Sequence, residues 1–208
     1  MTKLITTLLV ALSTSLFAQD QFAKEVLDKL SSNTKANKNM TIGLDFSIEN
    51  KSQNINEQQK GTLVMQEDNF RLIMDAQTII NNGEYQWIYL ADMNEVQIME
   101  HDPEEDMMSP SKLFTIYEND YKYTYVGASS ENGKRLHSID LFPKESGEFM
   151  KINLAINAAK NQLYKIIIHD KNGGTYTYLV TSFKSNTAIA PFTFNTEDYP
   201  GVEVIDLR

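Results

Sequence analysis

The sequence predicts a mainly β protein. It is a strongly curved antiparallel sheet of about eleven strands, covered by an N-terminal helix and a short mid-chain helix. Three observations carry this. Apolar residues alternate with a period of two through most of the chain, in short runs. The runs are punctuated by Asn82-Gly83, Asn132-Gly133 and Asn172-Gly173-Gly174, which is hairpin chemistry. Crossover helices between the runs are absent from the pattern, so neighbouring strands run antiparallel. A sheet of this size twists until it curls, and then it encloses space that its own side chains do not fill.

The elements follow in chain order. Residues 1–18, MTKLITTLLVALSTSLFA, read as a secretory signal peptide: Lys3 gives the basic start, Leu4 to Phe17 the apolar stretch, and Ala18 a small residue at the cleavage point. The stretch is too short and too polar to span a bilayer, which takes about 20 apolar residues. The mature chain, 19–208, reads as one exported, soluble domain. Phe22, Val26, Leu27 and Leu30 lie on one face of an amphipathic helix from about Asp20, its N-cap, to Ser31. The period then changes. Ile42, Leu44, Phe46 and Ile48 alternate with polar residues; Leu63 and Met65, then Phe70, Leu72 and Met74, do the same. Trp87-Ile88-Tyr89-Leu90 is apolar on both faces, and Val96 and Ile98 follow it. After an acidic stretch from Asp102 to Met108, Ser109-Pro110 opens a short helix with Leu113, Phe114, Ile116 and Tyr117. The strands resume at Tyr121, Tyr123 and Tyr125 and end with Tyr176 to Phe183.

Composition narrows the function. The chain has 208 residues, 41% of them hydrophobic, with 19 basic and 28 acidic residues, a formal charge of −9 and no cysteine. Removing the leader takes Lys3 and no acid, so the exported chain is more acidic still. Nucleic-acid binding needs a basic face and is excluded. Without cysteine there is no disulfide, thiolate metal site, cysteine nucleophile or lipobox anchor.

Catalytic patterns are missing. His101, His137 and His169 lie on three separate elements, with no second histidine at ligand spacing. No G-x-S-x-G, P-loop or G-x-G-x-x-G occurs. Asp170-Lys171-Asn172-Gly173 looks like the start of a calcium loop but lacks the distal glutamate and sits between two strands; it reads as a hairpin turn. No metal, no cofactor and no enzyme activity are expected. What stands out is a soft apolar surface. There are nine methionines, ten tyrosines and ten phenylalanines. Met65 and Met74 fall at inward-facing positions, and methionine adapts to flexible ligands such as acyl chains.

Several stretches carry a resemblance. They are Gln59-Lys60-Gly61-Thr62-Leu63-Val64, then Asn69-Phe70-Arg71-Leu72, then Asn82-Gly83 with Trp87-Ile88-Tyr89. Phe192-Thr193-Phe194 and Pro200-Gly201-Val202-Glu203-Val204 complete the set. Their order and spacing resemble the LolA family, periplasmic carriers of outer-membrane lipoproteins. Asp102-Pro103-Glu104-Glu105 and Phe114-Thr115-Ile116-Tyr117-Glu118 look like the branch found in Bacteroidetes. The resemblance implies a half-barrel with helices as a lid, working as a monomer between an inner-membrane ABC transporter and an outer-membrane acceptor. Better-known members carry K-R-P before the strand that matches Phe70-Arg71-Leu72, and that arginine latches the lid. Gln66-Glu67-Asp68 stands there instead, so any latch differs.

Strand parity puts Phe70, Leu72, Met74, Trp87 and Tyr89 on the face of an acyl-chain cavity. Leu63, Met65, Val96 and Ile98 are second choices. Leu27 and Leu30 of the first helix, with Leu113 and Phe114 of the second, form the lid. Competing readings are a carrier or sensor of another lipid or glycolipid with this fold, a hydrolase with two carboxylates in the pocket, and a structural β-protein with a filled interior.

Overall fold

A computed structural model describes residues 21–102 and 121–208. The leader over 1–18 and the short helix with Leu113 and Phe114 lie outside the described residues. Helix α1 covers residues 21–35, past the expected end at Ser31. Its last turn is polar, and this polarity is satisfied locally: Asn33 Nδ2 donates to the Lys160 and Asn161 carbonyls at 3.4 and 3.2 Å, and Asn37 Nδ2 donates to the Asn33 carbonyl at 2.7 Å.

Among the described residues, twelve strands form one curved, open sheet. The first group is β1 (Met40–Asn50), β2 (Ile55–Gln66), β3 (Asn69–Met74), β4 (Gln77–Asn81), β5 (Tyr85–Leu90) and β6 (Glu95–Glu100). The second is β7 (Tyr121–Glu131), β8 (Lys134–Pro143), β9 (Phe149–Asn157), β10 (Gln162–Asp170) and β11 (Gly174–Ser185). Strand β12 (Glu203–Asp206) comes last in the chain. The sheet order is β12-β6-β5-β4-β3-β2-β1-β11-β10-β9-β8-β7. Each group is a meander. They join where β1 pairs antiparallel with β11. Of the described strands, only β12 is parallel to its neighbour, β6.

The expected turns sit where the sequence put them. Asn132 and Gly133 have φ of 49° and 71°, the type I′ geometry that matches strand twist. The Asp170 carboxylate accepts from the Gly174 and Asn172 amides at 2.7 and 2.8 Å and from the Tyr176 hydroxyl at 3.1 Å. It serves the β10–β11 hairpin, and these bonds hold its carboxyl below the usual range. At Gly43 a register shift brings β11 so close that a Cβ would lie 2.6 Å from Ser182 Oγ. The extra residue, Thr181, bulges β11 there and adds to the curl.

The two faces differ in chemistry. On the inner face, α1 packs Ala23, Val26, Leu27 and Leu30 into a core with Met40, Met65 and Phe70 from one meander and Ile139, Leu154 and Ile166 from the other. On the outer face the two halves part. Across β8–β10 it is polar: Asp140 takes Lys151 at 3.1 Å and Asn153 at 2.7 Å, and Lys165 meets Glu131 at 2.7 Å. Across β3–β6 it is apolar, and the C-terminal segment covers it. Arg71 donates to the Pro191 carbonyl and lies over the Phe192 ring, while Tyr89, Phe194 and Tyr199 form one aromatic cluster with centroids 4.5–5.6 Å apart.

This corrects part of the sequence reading. Trp87 pairs with Ile80, which pairs with Arg71; Ile88 pairs with Ile79, which pairs with Leu72. Trp87 and Tyr89 therefore face outward, away from Phe70, Leu72 and Met74. Val96 and Ile98 oppose Tyr89 and Trp87 and share that outer face. Parity alone could not orient a strand that is apolar on both sides.

Candidate functional site

The inner face is wider than α1. Where the helix does not reach, the sheet encloses a cavity of about 470 Å³, within the range of ligand pockets, roughly 300–1,000 Å³. Its floor is built by period-two alternation. Strand β1 contributes Ile42, Leu44, Phe46 and Ile48; β2 contributes Leu63; β3 contributes Phe70, Leu72 and Met74; β4 contributes Ile79. From the other meander come Leu163 and Ile166 of β10 and Tyr178, Val180 and Phe183 of β11. The join between β1 and β11 lies in the middle of this floor, so both meanders are needed to make the site.

Of the residues the sequence nominated, Phe70, Leu72, Met74 and Leu63 lie together on the wall. Met65 is on the same face but sits in the core beside the cavity. Trp87, Tyr89, Val96 and Ile98 are on the other side of the sheet. Leu27 and Leu30 are fully buried against the sheet. The part of α1 that touches the cavity is its polar last turn, Asn33 and Thr34. The sequence reading missed most of β1 and β11 as wall. Ile42, Leu44, Phe46 and Ile48 had the same clean alternation as Phe70, Leu72 and Met74, so the signal was available. What was missing was that β1 pairs with β11.

The polar lining is Gln77, Gln86, Gln162, Asn33 and Thr34. Among the described lining residues there is no Asp, Glu, Lys, Arg or His. The Tyr178 phenol is pushed up to about 12 by burial, so it stays protonated and neutral. Its ring packs on Phe46 with centroids 4.7 Å apart. Chemically, this is a surface that takes methylene groups out of water.

The helix is held at both ends, and its last turn borders the cavity. At its start, the Phe22 ring meets Tyr125 and His137 edge-on, at 4.9 and 5.3 Å between centroids. His137 Nδ1 lies 3.1 Å from the Tyr125 hydroxyl. Desolvation, then the charges of Arg135 and Lys29, hold the imidazole below its ordinary pKa. An unfolded chain takes up this proton before the folded one. The contribution of His137 is therefore full above the ordinary value, about 6.5, and is lost as pH falls from there through the lower folded value. We expect the Tm difference between pH 7.5 and 5.5 to shrink in His137→Gln, measured against the unsubstituted protein so that the other histidines cancel.

A family model described as outer membrane lipoprotein carrier protein LolA matches residues 37–197, well over half of the chain. The chain belongs to the LolA family. No curated protein matches it at the sequence level. Solved structures share the LolA-like fold at low identity. An uncharacterized conserved protein from Thermus thermophilus superposes with a TM-score of 0.57 at 13% identity, over 88% of this chain and 98% of that one. LprF from Mycobacterium bovis gives 0.52 at 12% identity, over 84% and 98%. MucB gives 0.51 at 16% identity, over 85% of this chain and 64% of that one. The family takes its description from lipoprotein carriage, and the apolar inner face of the sheet is where this chain keeps its cavity. Among the described residues no helix is long and apolar enough to cross a membrane.

Proposed function

We propose that this protein is a periplasmic carrier that binds the acyl chains of lipoproteins in its cavity and shuttles them from the inner to the outer membrane. The observation that carries this reading is the cavity: an apolar floor, uncharged along its described lining, in a chain of the LolA family. Each CH₂ of an acyl chain contributes about 0.8 kcal/mol when buried. A lipoprotein therefore does not cross water with its chains exposed. Apolar burial is non-directional, so the cargo slides in and out without breaking strong polar bonds. Cargo reaches the carrier from an inner-membrane ABC transporter of the lipoprotein-release type and leaves to an outer-membrane acceptor. Residues 1–18 direct export and are removed, leaving 19–208 as the carrier domain. The family's role and the lack of a carboxylate among the described lining residues support a carrier over a pocket hydrolase.

Depletion in the native host tests this. The expected outcome is lipoproteins retained at the inner membrane, seen by membrane fractionation. Normal fractionation would overturn the proposal. Mass spectrometry of the copurified ligand would identify a glycolipid cargo, if that is what the cavity takes.

A further inference from the structure

Three glutamines line a cavity that is otherwise mostly apolar. Gln77 lies on β4, Gln86 on β5 and Gln162 on β10. In the sheet order, β5 and β4 are at one margin of the lining and β10 at the other, with the apolar strands β3, β2, β1 and β11 between them. At the β10 margin, Asn33 and Thr34 of α1 add a carboxamide and a hydroxyl. The three glutamine side chains are half-buried, and none makes a hydrogen bond to another described residue. A carboxamide brings two donors and an acceptor, and it is costly to leave unsatisfied when a ligand excludes water.

Resting on the carrier reading above, we propose that these glutamines make the cavity selective for acyl chains joined to an uncharged ester- or amide-linked head, and make it reject lipids with a phosphate head. The chemistry is direct. Ester and amide carbonyls accept from carboxamide N–H groups, and an amide N–H or a hydroxyl on the head donates to the carboxamide oxygen. A phosphate drawn into the same place meets no cation among the described lining residues. Its charge is desolvated against neutral dipoles alone, which is unfavourable. The Tyr178 hydroxyl, kept neutral by burial, adds a donor that carries no charge of either sign. Diacylglycerol and the triacylated cysteine of a lipoprotein share the favoured chemistry.

The test uses the purified protein and mixed detergent micelles carrying dioleoylglycerol and dioleoylphosphatidylglycerol in equal amounts, which have the same chains and different heads. A second set replaces the dioleoylglycerol with a tripalmitoylated cysteinyl peptide. Bound lipid is separated by gel filtration and counted by mass spectrometry. We expect each uncharged ligand to be enriched at least tenfold over the phospholipid. In Gln77→Leu/Gln86→Leu/Gln162→Leu the preference falls toward parity. In Gln86→Lys the loading of phosphatidylglycerol rises. Equal loading of both lipids by the unsubstituted protein overturns the selectivity and leaves the carrier reading standing. A preference that survives the triple substitution overturns the role of the glutamines. No loading of any acyl ligand overturns both.

Discussion

Leu72→Glu removes acyl-chain binding from a protein that still folds. Leu72 lies on the cavity wall and is only partly buried in the free protein, so a glutamate there keeps access to water until a ligand arrives. Its neighbours across the strands are Leu63 and Ile79, both on the wall. A chain lying on this floor must cover the carboxylate with methylene groups, or leave the floor. Burying an unpaired charge costs several kcal/mol, and every 1.4 kcal/mol is about tenfold in affinity. We expect at least a hundredfold loss of binding to a fluorescent fatty-acyl probe, with the circular dichroism spectrum and denaturation midpoint near those of the unsubstituted protein. Retention of probe binding within a few-fold would show that acyl chains do not lie on this face. Phe70→Glu is a less clean form of the same test. Phe70 is 6% exposed and belongs both to the wall and to the core under α1, so a carboxylate there also costs stability.

The residues show which parts of this were legible. Period two fixed most strands, because each has one face on the core and one elsewhere. The Asn-Gly turns fixed the hairpins, because each needs positive φ at its glycine, and the I′ turn at Asn132-Gly133 needs it at both central residues. Strand β4 was hidden: it is five residues long and begins with Gln77-Thr78. Strand β12 was hidden too, since four residues with no alternation form a strand only by pairing with β6. The cavity was half legible. Phe70, Leu72 and Met74 announce a face, but alternation does not say which faces of distant strands coincide. Trp87 and Tyr89 were drawn to the wrong side for that reason. The clue was at the other end of the chain, in Phe192, Phe194 and Tyr199. These aromatics need an apolar surface, and the outer face of β3–β6 supplies it. The register β1–β11 is a pairing across most of the chain, and no local pattern encodes it.

Leu27→Ala carries the largest expected cost in stability. Leu27 is 0% exposed, at the middle of α1, in the core that joins the helix to both meanders. Truncating a buried leucine costs about 2–5 kcal/mol through lost transfer energy and the cavity left behind. We expect about 3 kcal/mol, a large share of a typical domain's 5–15 kcal/mol, read as a lower denaturant midpoint at unchanged slope. The helix is held differently along its length. Its last turn is tied by hydrogen bonds from Asn33 to the β9–β10 turn, and its first turn rests on the rings of Tyr125 and His137. Packing at Leu27 and Leu30 holds the middle. A weakened middle therefore frees the N-terminal end before the tied C-terminal end, and α1 pivots about Asn33 beside the cavity. Hydrogen exchange separates the two contributions: in Leu27→Ala, amides near residue 26 lose protection first, while those near residue 34 follow the global transition. A loss below 1 kcal/mol, or uniform exchange along the helix, would mean that α1 is not an integral part of the core and does not pivot. If α1 does pivot, the same contacts that stabilise the fold also set how readily the cavity opens to its cargo.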